Sequence, residues 1–325
     1  MEGKHNPDSE KNAFAREEVP TRPVSAIQCY LAYGTAIFTG LLSYRIFAHY
    51  QVFEDSILTG MAVSSVATLV ICIFSIIHNN SSIYDPYWVV APPFLAILLK
   101  ALGEDGLTGA WNSRQVIIIL CLCLWAGRYH IFYKWTGWRT GLIHEDWRYE
   151  MMRKSPIPYW LNSLIGMHLS PTFLVYLAFA PAALVISKNT LSQASVSVWD
   201  ILGLAGALLA VTIQLFADEQ LRKFRLSDEY KNGKSCRTGL WKYSRHPNYF
   251  GEVLFWISMI CFSTAAGIIR ESPFLVLFGP ILMAIFFRFS AYLMDLRSLK
   301  FRHDYQQLMN EVSPMFPWWP KTGKN

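Results

Sequence analysis

Charged residues are scarce in this chain. Of 325 residues only 16% are Asp, Glu, Lys or Arg, 53% are hydrophobic, and the mean hydropathy is +0.24. A water-facing domain usually carries nearer a quarter of charged residues, so the composition argues against the two soluble domains that length alone would permit. The six cysteines include no CxxC pair, and no Cys/His spacing fits a zinc site, so no metal is expected. They read instead as small buried hydrophobes. Residues 1–24 lack an apolar h-region, so no cleavable signal peptide is expected, and the stretch reads as a polar, disordered cytoplasmic tail. No internal repeat stands out.

Long apolar blocks separated by short polar joints are abundant. Measured against the roughly 20 apolar residues that cross a hydrocarbon layer, they predict spans near 26–48, 57–78, 87–102, 115–134, 160–186, 198–217, 249–269 and 273–293. The third is short and carries Pro92-Pro93, and the eighth is separated from the seventh only by Arg270-Glu271-Ser272. The expectation is therefore an all-α, polytopic transmembrane helix bundle of seven to eight spans, a single membrane bundle over 25–325. With both termini cytoplasmic, the inner segments hold twenty-one Lys and Arg residues and the outer joints four, which fits the positive-inside rule. The net charge of +6 then belongs to one face of a membrane protein and does not indicate nucleic-acid binding.

Three polar stretches on that basic face carry the candidate chemistry. Arg128 lies inside the fourth apolar run, where an ionised group is costly and usually faces the bundle or a cavity; snorkelling to the interface is the plainer alternative. Asp218 and Arg225 are seven residues apart and share a helix face. In 239–252, Pro247 suits a first helical position, so His246 marks the cap region. The unpaired N–H groups of a helix start suit an anion, and Arg245 adds charge beside it. Asn248 and Glu252 are four apart and point into the bundle, where a carboxylate needs a partner or a task. Together these residues predict a basic, aromatic-rich pocket on the cytoplasmic side, suited to a phosphorylated cofactor meeting a lipophilic substrate.

The motif GLWKYSRHPNYFGE at 239–252, the Ala217-Asp218-x-Gln220-Leu221 run and HEDWRY at 144–149 resemble the steroid 5-alpha-reductase family. More closely they are similar to its steroid-5-alpha-reductase-like, C-terminal domain branch, as are SIYDPYW at 82–88 and FPWWP at 316–320, so that the likeness covers 80–320. The resemblance implies a steroid-reductase-like bundle, commonly of the endoplasmic reticulum in a eukaryote, that uses NADPH to reduce a carbon–carbon double bond conjugated to a carbonyl in a lipophilic steroid, sterol, polyprenyl or fatty enone. It further implies that Asn248 and Glu252 hold the nicotinamide end and Asp218 and Arg225 the adenosine and phosphate end. Arg128, Arg148 and Tyr149 would close over the phosphates, with Arg245 and His246 nearby. Asp85, flanked by Tyr84 and Tyr87, aligns with an acidic residue that contacts the substrate carbonyl, and burial could keep it protonated as the donor. The steroid enzymes have small residues in place of Arg245-His246-Pro247 and an Asn in place of Gln214. The Arg-His-Pro-x-Tyr start also resembles S-adenosylmethionine-dependent membrane methyltransferases of the isoprenylcysteine or phospholipid type. A transporter or scaffold would more often show two matching halves.

Overall fold

The computed structural model describes residues 23–53, 55–102, 110–188 and 195–321. The expected polar tail lies outside the described residues except at its end, and there the structure differs from the expectation. Val24 is buried, and its N–H donates to the Leu142 carbonyl at 2.8 Å, so the ordered bundle begins before the first helix.

Among the described residues there are helices and no strands. The long ones are α1 (Ala26–His49), α2 (Ser56–His78), α3 (Ala91–Leu102), α4 (Ser113–Ile131), α5 (Ser170–Ser187), α6 (Val198–Arg225), α7 (Pro247–Ala265) and α8 (Pro273–Phe301), followed by the short α9 (Tyr305–Glu311). Three of these starts show side-chain caps that their sequences supply. The Ser25 hydroxyl and the Gln28 side chain form a reciprocal capping box on α1, Asn112 and Gln115 do the same on α4, and the Asp55 carboxylate accepts from Ile57 N and Leu58 N on α2. α2 ends at Asn79 in the left-handed conformation, a residue type that tolerates it.

The expected break in the third span is present but displaced. A short helical stretch, Ser81–Tyr87, meets α3 at a bend of 56°. Pro92 and Pro93 sit inside the first turn of α3, where a missing N–H has no helical acceptor to disappoint. A lead-in helix, Tyr159–Ser163, and a π-helical segment, Leu164–Leu169, run into α5 without interruption.

Among the described residues six helices are long and apolar enough to cross a membrane, or seven where the bent pair counts as one span. The chain is thus a multi-pass membrane protein by composition and length. Of the eight expected spans, the 249–269 block does not meet that standard, because Asn248 and Glu252 dilute the apolar run of α7. α7 is instead an inner helix, with Phe255, Trp256, Met259 and Phe262 fully buried. It lies tightly on α6 because small residues face it. A Cβ at Gly251 would stand 2.6 Å from Gln214 Cγ and 3.0 Å from the Ala210 carbonyl, so the approach requires glycine. Gly279 of α8 lies closer still against the α5 backbone at Leu177. Large apolar side chains face outward instead, including Phe38, Leu120, Ile201, Phe216 and Ile285, as expected where the solvent is lipid.

Candidate functional site

The residues singled out in the sequence fall into three neighbouring clusters. In the central one, Arg128 of α4 reaches between two carboxylates. Its Nη1 is 3.4 Å from Asp218 Oδ2 on α6, and its Nη2 is 3.5 Å from Glu252 Oε2 on α7. Asn248 donates from Nδ2 to Asp218 Oδ1 at 3.3 Å. Glu252 also accepts from two indoles, Trp125 Nε1 at 3.1 Å and Trp256 Nε1 at 3.0 Å. A guanidinium and a carboxylate that are this buried are tolerable only with such partners. Two polar atoms beside the cluster remain unsatisfied: Arg128 Nε and Gln214 Nε2 are buried and without a hydrogen-bond partner. A buried donor left unpaired costs about 1–3 kcal/mol, so these two are the atoms at which a ligand would gain most.

The second cluster surrounds Asp85. Its Oδ1 accepts from the Tyr149 hydroxyl at 2.8 Å and lies 3.3 Å from Arg148 Nη2. Arg148 is half-exposed and also grips Asp146 at 2.7 Å. Asp146 caps the short helix Trp147–Arg153, and its N–H donates to Ser82 Oγ at 2.9 Å, which fixes the HEDWRY segment against the break. Tyr149 is fully buried. Burial first, and the Asp85 charge second, hold its phenol well above its ordinary pKa although Arg148 opposes them, so it stays protonated at any physiological pH. Trp88 links this cluster to the first, packing on Trp125 at 5.4 Å and on Tyr129 at 6.4 Å between ring centroids.

The third cluster contains Arg245 and His246. Arg245 donates from Nη2 to Asp295 Oδ2 at 2.8 Å and from Nη1 to the carbonyls of Val312 at 2.7 Å and Met309 at 3.0 Å. His246 Nε2 is 2.8 Å from Asp295 Oδ1, which also accepts from Tyr305 at 2.6 Å. All of these side chains are buried. The cluster ties the start of α7 to α8 and to the segment after α9.

Several expected roles are therefore redistributed. Arg245 and His246 are turned away from an anion site at the α7 start, because their donors are engaged by Asp295 and by two carbonyls. Arg128 faces carboxylates rather than open space for a phosphate. Asp85 pairs with Arg148, and the hydroxyl that meets it belongs to Tyr149 rather than to the flanking Tyr84 or Tyr87. Tyr84 points to Thr172 Oγ1 at 2.9 Å, and Tyr87 packs on Tyr33 at 5.8 Å. Both line a cavity of only about 10 Å³ against α5, near the least that a water molecule requires. Arg225 is exposed at the end of α6, beyond Asp218. Asn248 and Glu252 share a face of α7 as their spacing implied, and the fold brings Asp218 of α6 to them through Asn248 and Arg128.

Sequence reasoning missed the two tryptophans on Glu252. A signal was available for one: Trp256 follows Glu252 by four residues and so shares its face. It also missed the network in which Arg153 grips Glu145 at 2.6 Å and Asn79 Oδ1 at 3.1 Å, with Tyr159 donating to Glu145 at 2.8 Å. These partners come from separate loops, and nothing in local spacing joins them.

Beyond α8, Arg237 pairs with Glu311 at 2.5 Å, and Ser235 donates from N and Oγ to Asp304 at 3.1 and 2.5 Å. Burial opposes the ionised form of Asp304, but the Ser235 donors and Arg237 outweigh it and its pKa is lowered. Arg237 and Gln307 lower that of Glu311. Depressed carboxylate pKa values stabilise the folded state above the ordinary range near pH 4, and that contribution is lost as pH falls through the folded values. Hydrogen exchange over 304–318, corrected for the intrinsic rate, should therefore accelerate as pH falls below about 4 and stay unchanged above about pH 6. No acceleration would show that these pairs do not hold the segment.

Residues 71–312 match the family described as protein of unknown function DUF1295. The chain belongs to that family. It is also 23% identical over 254 residues to uncharacterized protein C594.04c of Schizosaccharomyces pombe, an alignment covering 71% of this chain and 70% of that one. No solved structure matches. Among the described residues no group of three or more His, Cys, Asp or Glu side chains could hold a metal ion.

Proposed function

We propose that this DUF1295 protein is a membrane-embedded, NADPH-dependent reductase of a conjugated carbon–carbon double bond in a lipophilic enone, a relative of the steroid 5-alpha-reductase-like branch. The observation that carries this reading is the buried Arg128–Asp218–Asn248–Glu252 cluster with its two unsatisfied donors, Arg128 Nε and Gln214 Nε2. The cluster fits the amide end of a nicotinamide. Its carboxylates accept amide N–H groups, and the unpaired donors of Arg128 and Gln214 suit the amide oxygen. The exposed Arg225, beyond Asp218 on the same helix, supplies a charge for the phosphate end. Arg245 and His246 have no part in it. Bound there, NADPH would supply a hydride to the β-carbon of the enone, and a proton from water would complete the reduction at the α-carbon.

The chain's own contribution is positioning and polarisation. Arg128 lies between two buried carboxylates and holds them in place, and Trp125 and Trp256 fix the rotamer of Glu252. Tyr149 keeps its hydroxyl proton and can turn it from Asp85 Oδ1 to a substrate carbonyl oxygen, where it stabilises the enolate as charge develops. Asp85 and Arg148 orient that hydroxyl.

The proposal predicts that membranes containing the protein consume NADPH when given a lipid extract rich in enones and incorporate deuterium from deuterated cofactor. Tyr149→Phe should lower kcat by about 10²–10⁴-fold, the range for a lost general acid, while leaving cofactor affinity within a few fold. An unchanged kcat in Tyr149→Phe would remove Tyr149 from the chemistry. Methyl transfer from S-adenosylmethionine without NADPH consumption would replace the reading altogether.

A further inference from the structure

α7 and α8 form an apolar groove of about 690 Å³ on the outer surface of the bundle. Ile257 and Ile260 of α7 and Ile281 and Ile285 of α8 line it, together with Arg288 and Tyr292. One of these six is out of keeping with its surroundings. Arg288 is exposed, yet it makes no hydrogen bond or ion pair with any described residue.

Its position along the helix makes this unusual. Arg288 precedes Arg297 by nine residues, which is about 13 Å of helix rise. Exposed apolar residues lie on both sides of it, Ile281 and Ile285 before and Phe289, Leu293 and Leu296 after. Arg288 is therefore set inside the apolar band of α8 and not at its charged end. A guanidinium within a spanning helix ordinarily faces the bundle interior or a watered cavity, or pairs with another group. Arg288 pairs with no group among the described residues, while Val276, Met283 and Ala291 of the same helix are buried against the bundle. A partner on its lipid-facing side would carry negative charge.

We propose that the α7–α8 groove is a binding site for an anionic membrane phospholipid, with its phosphate on Arg288 and one acyl chain laid along Ile285, Ile281 and Ile257. Arginine offers a planar set of donors that phosphate can accept from in pairs. Tyr292 lies one turn beyond Arg288 on the same face, and its hydroxyl is a second donor. From Arg288 to Ile281 the groove runs about 10 Å toward the α8 start, away from the basic end of the helix, which is the direction an acyl chain takes below a headgroup. The groove shares no lining residue with the Glu252 cluster, and the proposal does not depend on the reductase reading.

The test is native mass spectrometry of the full chain after delipidation in detergent, titrated with phosphatidylglycerol and with phosphatidylcholine of the same acyl chains. The wild type should prefer phosphatidylglycerol by about tenfold. Arg288→Leu should abolish that preference, Arg288→Lys should keep part of it, and Ala284→Trp, which fills the groove, should weaken both lipids. Arg270→Leu, an exposed arginine near the other end of α8, should change nothing. Because Arg288 touches no described polar group, Arg288→Leu should unfold at the wild-type temperature, so a loss of binding cannot be a loss of fold. Equal phosphatidylglycerol affinity in Arg288→Leu and wild type would overturn the proposal. So would a lipid-free dimer that Ala284→Trp dissociates, since the groove would then be filled by a second copy of the chain.

Discussion

Arg128→Leu should destabilise the protein by about 3–5 kcal/mol, the usual result of removing one member of a buried charged network. Two carboxylates, Asp218 and Glu252, depend on that one guanidinium, and only the indoles of Trp125 and Trp256 and the amide of Asn248 remain to solvate them. Thermal unfolding in detergent would report the loss. The double variant Arg128→Leu, Glu252→Leu separates stability from function. Apolar replacement of a buried pair is often neutral, so the double variant should recover the share of the loss due to Glu252, while Asp218 stays without its guanidinium. It should not recover NADPH binding, because the nicotinamide end would have lost its polar partners. Recovery of both would mean that the cluster is structural only.

Arg245→Ala should have an effect of similar size, about 3–5 kcal/mol, for a different reason. Arg245 is the hub of the clamp that holds the segment after α9 to the start of α7. Its loss leaves Asp295 with only His246 and Tyr305, and leaves the Met309 and Val312 carbonyls without their donor. Hydrogen exchange should rise sharply over 305–318 and little in α2 or α5. In the folded fraction NADPH affinity should stay close to that of the wild type. Unchanged stability together with lost NADPH binding would instead return Arg245 to the anion-binding role that its place beside a helix N-terminus suggests.

Arg245 also shows where reading the sequence stops. The helix start at Pro247 was legible, because proline at a first turn and a basic segment before it are local signals. The partner of Arg245 was not legible, since Asp295 lies 50 residues away on α8. Local spacing succeeded for Asn248 and Glu252, which share a face of α7, but not for the partners of Asp218, which are Asn248 and Arg128 rather than Arg225. It failed for Asp85. The sequence puts Tyr84 and Tyr87 beside that residue, whereas its partners Arg148 and Tyr149 come from a short helix 63 and 64 residues further on. The membrane class was legible because bilayer thickness imposes a length that a sequence must display. The span count was less so, because an inner helix such as α7 is not held to the apolarity of a lipid-facing one. Buried charges within it are satisfied by protein, and their presence lowers the very signal by which a span is recognised.

Titration of the detergent-purified full chain with NADPH tests the central claim most directly, with S-adenosylmethionine titrated in parallel and Asn248→Ala and Gln214→Ala as variants. The account predicts saturable NADPH binding, a loss of about tenfold or more in affinity in each variant as a buried polar contact is removed, and no competition by S-adenosylmethionine. S-adenosylmethionine binding that both variants weaken, with no affinity for NADPH, would contradict it.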